Sequence, residues 1–245
     1  MRARFWAIAL TATITASAPL LAAPAMAQAA VQTPDIPAPW RTVPDVGALL
    51  AQDRLVGPAQ APISVVVWSD PECPYCKQFA GVPDAAIERA KGKANLAIRM
   101  LPLPFHGAPA VLGSMAALCV ADQGGAAAFY RFLNDYFART GGNGRGLEGG
   151  RPAVVALAKQ DGAADGAKLD ACLRSDETLG RVAAEGDAAE RATVQGTPAV
   201  AVRNNLTGET IMVDGAIDGE TLDQAITLMA SRSKRHGAPP ADYSR

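Results

Sequence analysis

Two cysteines separated by two residues are the strongest chemical signal in this 245-residue sequence, at Cys73-Pro74-Tyr75-Cys76. The spacing brings two sulfur atoms into reach across one helical turn, so the pair can alternate between dithiol and disulfide. Proline suits the first position of a helix because its missing N–H would be unpaired there in any case. We therefore predict that Cys73 lies at a helix N-cap, where free backbone N–H groups and the helix dipole favour its thiolate.

The two cysteines then have different predicted roles in thiol–disulfide exchange. The thiolate is the attacking species, so Cys73 is the expected nucleophile and its pKa should be lowered. Cys76, one turn into the helix, is expected to be more buried, to keep a higher pKa and to act as the resolving thiol. A structural zinc site is the open alternative. Such a site needs four ligands, and beyond the motif the sequence offers only Cys119, Cys172 and His106, which are scattered along the chain. An inert disulfide within the motif is a second alternative, and no metal is expected.

Strand and helix signals alternate along the rest of the chain. β-branched runs predict strands, and Ala-rich periodic segments predict helices. The predicted strands are residues 63–68, 96–103, 199–203 and 210–213. The predicted helices after the motif are residues 84–91, 108–123, 126–138, 152–160, 163–174, 177–193 and 220–229. Strands that interleave with helices and end in an antiparallel hairpin imply a mixed sheet covered by helices.

Proline and glycine mark the interruptions in this pattern. Pro83 is expected to break the helix that follows the motif near residues 81–82. The glycine-rich segment at residues 141–150 predicts a flexible loop between two helices. Residues 28–44 are rich in Ala and Pro and predict an extended, poorly ordered lead-in, followed by a short helix at residues 46–52. Residues 232–245 predict a flexible tail.

The overall composition excludes several classes of protein. With 49% hydrophobic and 19% charged residues, the chain has the proportions of a globular protein rather than a disordered one. Its 23 basic and 24 acidic residues give a net charge of −1. That balance supplies no electrostatic reason to expect nucleic acid as a partner.

The first 27 residues predict a cleaved secretory signal peptide. A basic start at Arg2 and Arg4 precedes an apolar stretch, and Ala25-Met26-Ala27 has the small-x-small pattern of a cleavage site. An uncleaved anchor helix is the alternative, and no later segment is expected to reach the length of a membrane span. Export places the protein in an oxidising compartment where disulfides persist, and the bacterial style of the signal indicates the periplasm.

The motif at a strand-to-helix junction, together with Gly196-Thr197-Pro198 before a predicted hairpin, resembles the thioredoxin superfamily. Within it, the chain is most similar to the DsbA-like branch of exported thiol–disulfide oxidoreductases. The resemblance covers residues 45–230. It implies an α/β fold: a thioredoxin-like mixed sheet flanked by helices at residues 45–105 and 194–231, with an all-helical subdomain inserted at residues 106–193. The long separation of Cys76 from Pro198 matches such an insertion.

Several residue roles are implied by this resemblance. The Thr197–Pro198 peptide bond should be cis and lie against the active-site cysteines, with the Thr197 backbone offered to a substrate chain as a short strand addition. Cys119 and Cys172 resemble the second, non-catalytic disulfide that some DsbA-like proteins carry. Two buried free thiols, or a redox relay to the active-site pair, are the alternatives for these two residues.

Three ionisable residues close to the motif receive less prominent predictions. His106 follows the second predicted strand and is expected to be a loop or hinge residue between sheet and insertion rather than a catalytic one. Asp70 and Glu72 are expected to be solvated loop charges. The alternative is that a buried carboxylate relays protons to Cys76.

The predicted function is disulfide introduction into secreted proteins. An oxidase would donate the Cys73–Cys76 disulfide to unfolded or misoxidised substrates and be reoxidised by a membrane redox partner. The large insertion favours this direction, whereas the Pro-Tyr dipeptide and Thr197 resemble disulfide isomerases and glutaredoxins, so an isomerase or reductase is the alternative. A chaperone that holds copper or zinc between the two thiolates is a less favoured hypothesis. No cofactor is expected.

Overall fold

The computed structural model describes residues 36–44, 46 and 53–236, with side chains described as far as residue 232. The predicted signal peptide, the lead-in before residue 36, the predicted short helix apart from Val46 and the tail beyond residue 236 lie outside the described residues. All described residues belong to one compact unit that begins at Ile36.

The described residues contain one mixed sheet of six strands. The strands are β1 (Arg41–Val43), β2 (Leu55–Val56), β3 (Ile63–Ser69), β4 (Ala94–Met100), β5 (Ala199–Asn204) and β6 (Thr210–Asp214). Their order in the sheet is β1-β6-β5-β3-β4-β2. β3 and β4 pair in parallel, and every other neighbouring pair is antiparallel. The predicted mixed sheet is therefore confirmed.

The two central strands are buried along their whole length. Every residue of β3 and β4 is buried, as expected of a parallel pair whose two faces are both covered. β4 ends at Met100, before the predicted end at residue 103, because Pro102 cannot donate to a strand ladder. The edge strands β1 and β2 were not predicted, since two or three residues are too few for a periodic pattern. β1 pairs with β6, so residues 41–43 of the lead-in are an ordered strand rather than a poorly ordered segment.

Helices cover the sheet and form the insertion. They are α1 (Pro74–Phe79), α2 (Gly81–Arg89), α3 (Gly107–Arg139), α4 (Gly150–Asp161), α5 (Gly166–Cys172), α6 (Asp176–Arg191) and α7 (Gly219–His236), with a short 3₁₀ turn at Pro104–His106. The break that Pro83 predicts falls at Ala80, between α1 and α2. α3 to α6 lie between β4 and β5 in the chain, where the helical insertion was predicted.

α3 is two helical segments joined at a glycine. Gly125 has non-helical torsion angles (φ 72°, ψ −170°), which agrees with the separate helices predicted at residues 108–123 and 126–138. Contrary to expectation, the stretch Pro104–Arg139 is long and apolar enough to span a membrane by length and composition. More than half of its most apolar window is buried inside the protein, as in a core helix. Phe129 and Phe132 of this stretch are fully buried.

One long-range connection joins two helices of the insertion to each other, and a second joins the insertion to the sheet. Cys119 in α3 and Cys172 at the end of α5, the pair implied by the resemblance, are joined by a disulfide with a Cα–Cα distance of 5.9 Å. Glu185 in α6 forms a buried ion pair with Arg54, with 2.6 Å between Oε1 and Nη1. Glu185 also accepts a hydrogen bond from the backbone N–H of Met100 at the end of β4. Separating the two partners would leave a buried charge without compensation, which is strongly destabilising. The ion pair therefore holds α6 against the sheet.

Candidate active site

Cys73 occupies the position that the sequence predicts for it, the N-cap of α1. Its backbone is extended (φ −79°, ψ 120°) and Pro74 begins the helix. The Cys73 N–H donates to the Asp70 carbonyl at 3.1 Å, so the chain leaves β3 and enters α1 through one tight turn. Cys73 and Cys76 are only 4% and 2% exposed, whereas Tyr75 between them is 61% exposed. Both cysteines are free thiols in this structure.

The two thiols have opposite pKa shifts. A hydrogen bond from Cys76 is the largest influence on Cys73, and with further hydrogen bonds from Thr197 and the backbone N–H groups of Cys76 and Tyr75 it lowers the pKa of Cys73 from 9.0 to about 6. Burial opposes this shift. Burial is also the main reason that the pKa of Cys76 is raised well above 9.0, and the neighbouring Cys73 raises it further. The order of the two pKa values is the one that an attacking and a resolving thiol require.

The residues before β5 lie beside the sulfur atom of Cys73. The Thr197–Pro198 peptide bond is cis, and β5 begins at the next residue. The Cys73 thiol donates to the Thr197 carbonyl oxygen, with 3.3 Å between Sγ and O. The buried Thr197 hydroxyl has no other hydrogen-bond partner among the described residues, so it is available to donate to the Cys73 thiolate. The structure therefore brings together Cys73, Cys76 and the Thr197–Pro198 loop.

Asp70 is a buried anchor rather than a solvated loop charge, so the prediction for this residue was wrong. Its side chain is 0% exposed. Oδ1 accepts from the Glu72 N–H at 2.7 Å, and Oδ2 accepts from the Leu103 N–H at 2.7 Å. His106 Nδ1 lies 2.7 Å from the same Oδ2. His106 is at the predicted hinge, but it is buried and bound to the loop that carries Cys73.

Glu72 was also wrongly predicted to be solvated. Its carboxylate is 0% exposed and accepts hydrogen bonds from the hydroxyls of Tyr136 and Thr140 and from the Gly146 N–H. Burial, and then the adjacent Glu72 carboxylate, raise the pKa of Tyr136, so its hydroxyl stays protonated and remains a donor. Sequence reasoning missed Tyr136 and Thr140, because these partners lie more than sixty positions away and no local pattern marks them.

In the part of the chain that the structure describes, no group of three or more His, Cys, Asp or Glu side chains could hold a metal ion. Cys119 and Cys172, the scattered candidates named above, are bonded to each other instead.

Known proteins resemble the chain over most of its length. A family model described as thioredoxin matches residues 50–227. No curated relative matches the sequence. Among solved structures, Pseudomonas aeruginosa DsbA2 has 31% identity and a TM-score of 0.64, with 76% of this chain and 98% of that chain covered.

Two further solved structures share the fold at lower identity. BdbD from Bacillus subtilis has 19% identity and a TM-score of 0.64, and covers 78% of this chain and 100% of its own. The catalytic domain of Proteus mirabilis ScsC has 21% identity and a TM-score of 0.57, and covers 76% and 94%. The fold thus occurs in solved proteins of several bacteria.

Proposed function

The chain belongs to the DsbA-like branch of the thioredoxin superfamily, and from this premise we propose that it introduces disulfides into secreted proteins through Cys73 and Cys76. DsbA-like proteins are thiol–disulfide oxidoreductases. The observation that carries the proposal is the stabilised Cys73 thiolate, whose pKa is about 6, beside a Cys76 thiol whose pKa is raised. A stabilised thiolate favours the reduced form of the pair and makes its disulfide a better oxidant.

The proposed reaction has two exchange steps. A substrate thiolate attacks Sγ of Cys73 in the Cys73–Cys76 disulfide, the S–S bond breaks, and Cys76 leaves and takes up a proton. A second substrate thiolate then attacks the substrate sulfur of the mixed disulfide, so that Cys73 leaves as a thiolate. The substrate loses two electrons and the enzyme pair gains them. The exposed side of the Thr197–Pro198 loop, next to Cys73, supplies backbone for the substrate chain to pair with.

The remaining parts of the proposal concern location and partners. The signal peptide at residues 1–27 would direct the chain to the periplasm, where unfolded or misoxidised secreted proteins are its substrates. A membrane redox partner would restore the Cys73–Cys76 disulfide by accepting two electrons. The disulfide between Cys119 and Cys172 would be structural, since neither sulfur lies in a motif that lowers its pKa.

A second candidate, an isomerase or reductase, is supported by the Pro74-Tyr75 dipeptide and by Thr197, which resemble those of disulfide isomerases and glutaredoxins. Strongly oxidising DsbA has a nucleophile pKa of ~3.5, whereas thioredoxin, a reductant, has ~7. The pKa of about 6 for Cys73 lies between them. A pair of this kind can be held reduced and can then attack incorrect disulfides.

One pair of assays distinguishes the two directions. The mature chain, starting at residue 28, is added to a reduced unfolded protein in glutathione disulfide, and separately to a scrambled protein in a reducing glutathione buffer. An oxidase accelerates the first reaction and an isomerase the second. The variant Cys73→Ser should be inactive in both, and Cys76→Ser should accumulate a mixed disulfide. A Cys73→Ser variant with wild-type activity would contradict the mechanism. Stoichiometric copper or zinc in the purified chain that Cys73→Ser loses would favour the metal-chaperone alternative.

A further inference from the structure

We infer that Glu72 is a positioning residue for the Cys73 nucleophile, because its buried side chain fastens the start of α1 to the glycine-rich loop of the insertion, residues 141–146. The inference rests on the proposed function, since it assigns Glu72 a part in setting the reactivity of Cys73. The glycine-rich loop would then help to position the nucleophile, a role that its sequence alone does not indicate.

Four hydrogen bonds join Glu72 to the insertion. Oε1 accepts from the Tyr136 hydroxyl at 2.9 Å and from the Thr140 hydroxyl at 2.6 Å, and Oε2 accepts from the Gly146 N–H at 2.9 Å. The backbone carbonyl of Glu72 accepts from the Asn143 N–H at 2.7 Å. All four donors come from the end of α3 or from the glycine-rich loop, and the acceptor residue directly precedes Cys73. A buried carboxylate with three donors is strongly held in place.

The glycines allow the loop to lie close to the active-site backbone. Gly142, Gly144 and Gly146 have φ values of +67°, +77° and +71°, a region that favours glycine. A Cβ on Gly144 would lie 2.7 Å from the carbonyl oxygen of His106. Arg145 Nε donates back to the Gly142 carbonyl at 3.2 Å, so the loop is also closed on itself.

Thr140 connects this contact to the body of α1. Besides its bond to Glu72, its hydroxyl accepts from the Gly142 N–H at 3.0 Å, and its carbonyl accepts from Lys77 Nζ at 3.2 Å. The start of α1 is therefore fixed on both sides of Cys73, through the preceding residue and through a residue one turn later. The backbone N–H groups of Tyr75 and Cys76, which help to lower the pKa of Cys73, belong to this start of α1.

The negative charge of Glu72 does not itself stabilise the thiolate. A carboxylate near a cysteine raises the thiol pKa, which opposes the shift that Cys73 shows. The three hydrogen bonds of the carboxylate instead all connect it to the insertion. The contribution of Glu72 is therefore geometric.

Substitutions that remove single donors to Glu72 test the inference while leaving its charge in place. In Thr140→Val and Tyr136→Phe, we expect the thiolate pKa of Cys73 to rise by about one unit, which is a tenfold change in its proton affinity. The equilibrium constant for reducing the Cys73–Cys76 disulfide with glutathione should fall accordingly. Thr140→Ser keeps the hydroxyl and should keep both wild-type values. Glu185→Gln also removes a buried carboxylate, but this one binds Arg54 and the Met100 N–H rather than the residues around Cys73. This variant should lower stability without changing either value.

Glu72→Gln then separates position from charge. Positioning predicts that the thiolate pKa of Cys73 rises, as in the other two variants, whereas an effect of charge alone predicts that it falls. All variants are compared under conditions in which circular dichroism shows them fully folded. A fall in Glu72→Gln, unchanged values in Thr140→Val, or a shift in Glu185→Gln of the same size would each overturn the inference. Neither readout uses a protein substrate, so a failed oxidase assay with the wild type would count against the proposed function and not against Glu72.

Discussion

Replacing Cys76 by alanine tests the main cause of the low pKa of Cys73. The hydrogen bond from Cys76 is the largest contribution, and the backbone N–H groups of Tyr75 and residue 76 remain in the variant. At pH 7 a thiol with a pKa of about 6 is about 90% ionised, and one with the ordinary value of 9.0 is about 1% ionised. Loss of the largest contribution should raise the pKa by about one unit or more, leaving about half of Cys73 or less as thiolate at pH 7.

The same shift sets the pH dependence of the reduced protein's stability. The folded-state pKa of Cys73 lies below its unfolded value, so the stabilisation is complete above pH 9, declines as the pH falls and is absent below about pH 6. At pH 7 a pKa of about 6 in place of 9.0 amounts to about 1.4 kcal/mol. For a two-electron couple this equals about 30 mV, in the direction that makes the disulfide more oxidising.

The assay is the ultraviolet absorbance of the thiolate as a function of pH, with the Cys119–Cys172 disulfide left intact. Wild type should titrate near pH 6, and Cys76→Ala should titrate at a higher pH. Cys76→Ser is the matched control, since its hydroxyl can still donate and should retain most of the shift. A wild-type midpoint near the ordinary thiol value, or the same midpoint in Cys76→Ala as in wild type, would refute the explanation given for the pKa of Cys73.

Three further predictions concern stability. Replacing both Cys119 and Cys172 by alanine should lower the free energy of unfolding in urea by about 4 kcal/mol, because the crosslink spans 53 residues. Disulfide-exchange activity should remain, and its loss would favour a redox relay. Asp70→Asn leaves a buried N–H donor facing an amide and should lower the free energy of unfolding by about 2–3 kcal/mol, whereas a solvated Asp70 predicts almost no change. Gly144→Ala places a Cβ 2.7 Å from the His106 carbonyl oxygen at φ +77° and should cost about 1–2 kcal/mol by urea unfolding; an unchanged midpoint would show that the loop adapts.

The parts of the fold that could be predicted from the sequence are those specified by neighbouring residues. The β-branched run at Ile63–Ser69 forms the central strand, and proline after Cys73 begins a helix, so the thiol pair lies where the sequence places it. Gly125 separates the two predicted helical segments of α3. Each of these features depends on the conformational preference of one residue or of a short run, which a single sequence displays directly.

The parts that could not be predicted depend on partners far away in the chain. Asp70 and Glu72 have the composition of an exposed turn, but their donors are at residues 103 and 106 and at residues 136–146. No sequence pattern at residues 70–72 indicates that those donors will be nearby. The edge strands were missed for a different reason, because pairing across the sheet rather than local preference makes β1 and β2 extended.

The proposed function depends on Cys73 and Cys76 being a redox pair with a stabilised nucleophile. Its most direct test is the equilibrium of the mature chain with glutathione, followed by alkylation and mass spectrometry so that Cys119 and Cys172 are counted separately. We expect the Cys73–Cys76 pair to exchange with glutathione, with a potential less negative than the ~−270 mV of thioredoxin. A pair that does not exchange, or one with a potential at or below ~−270 mV, would contradict it.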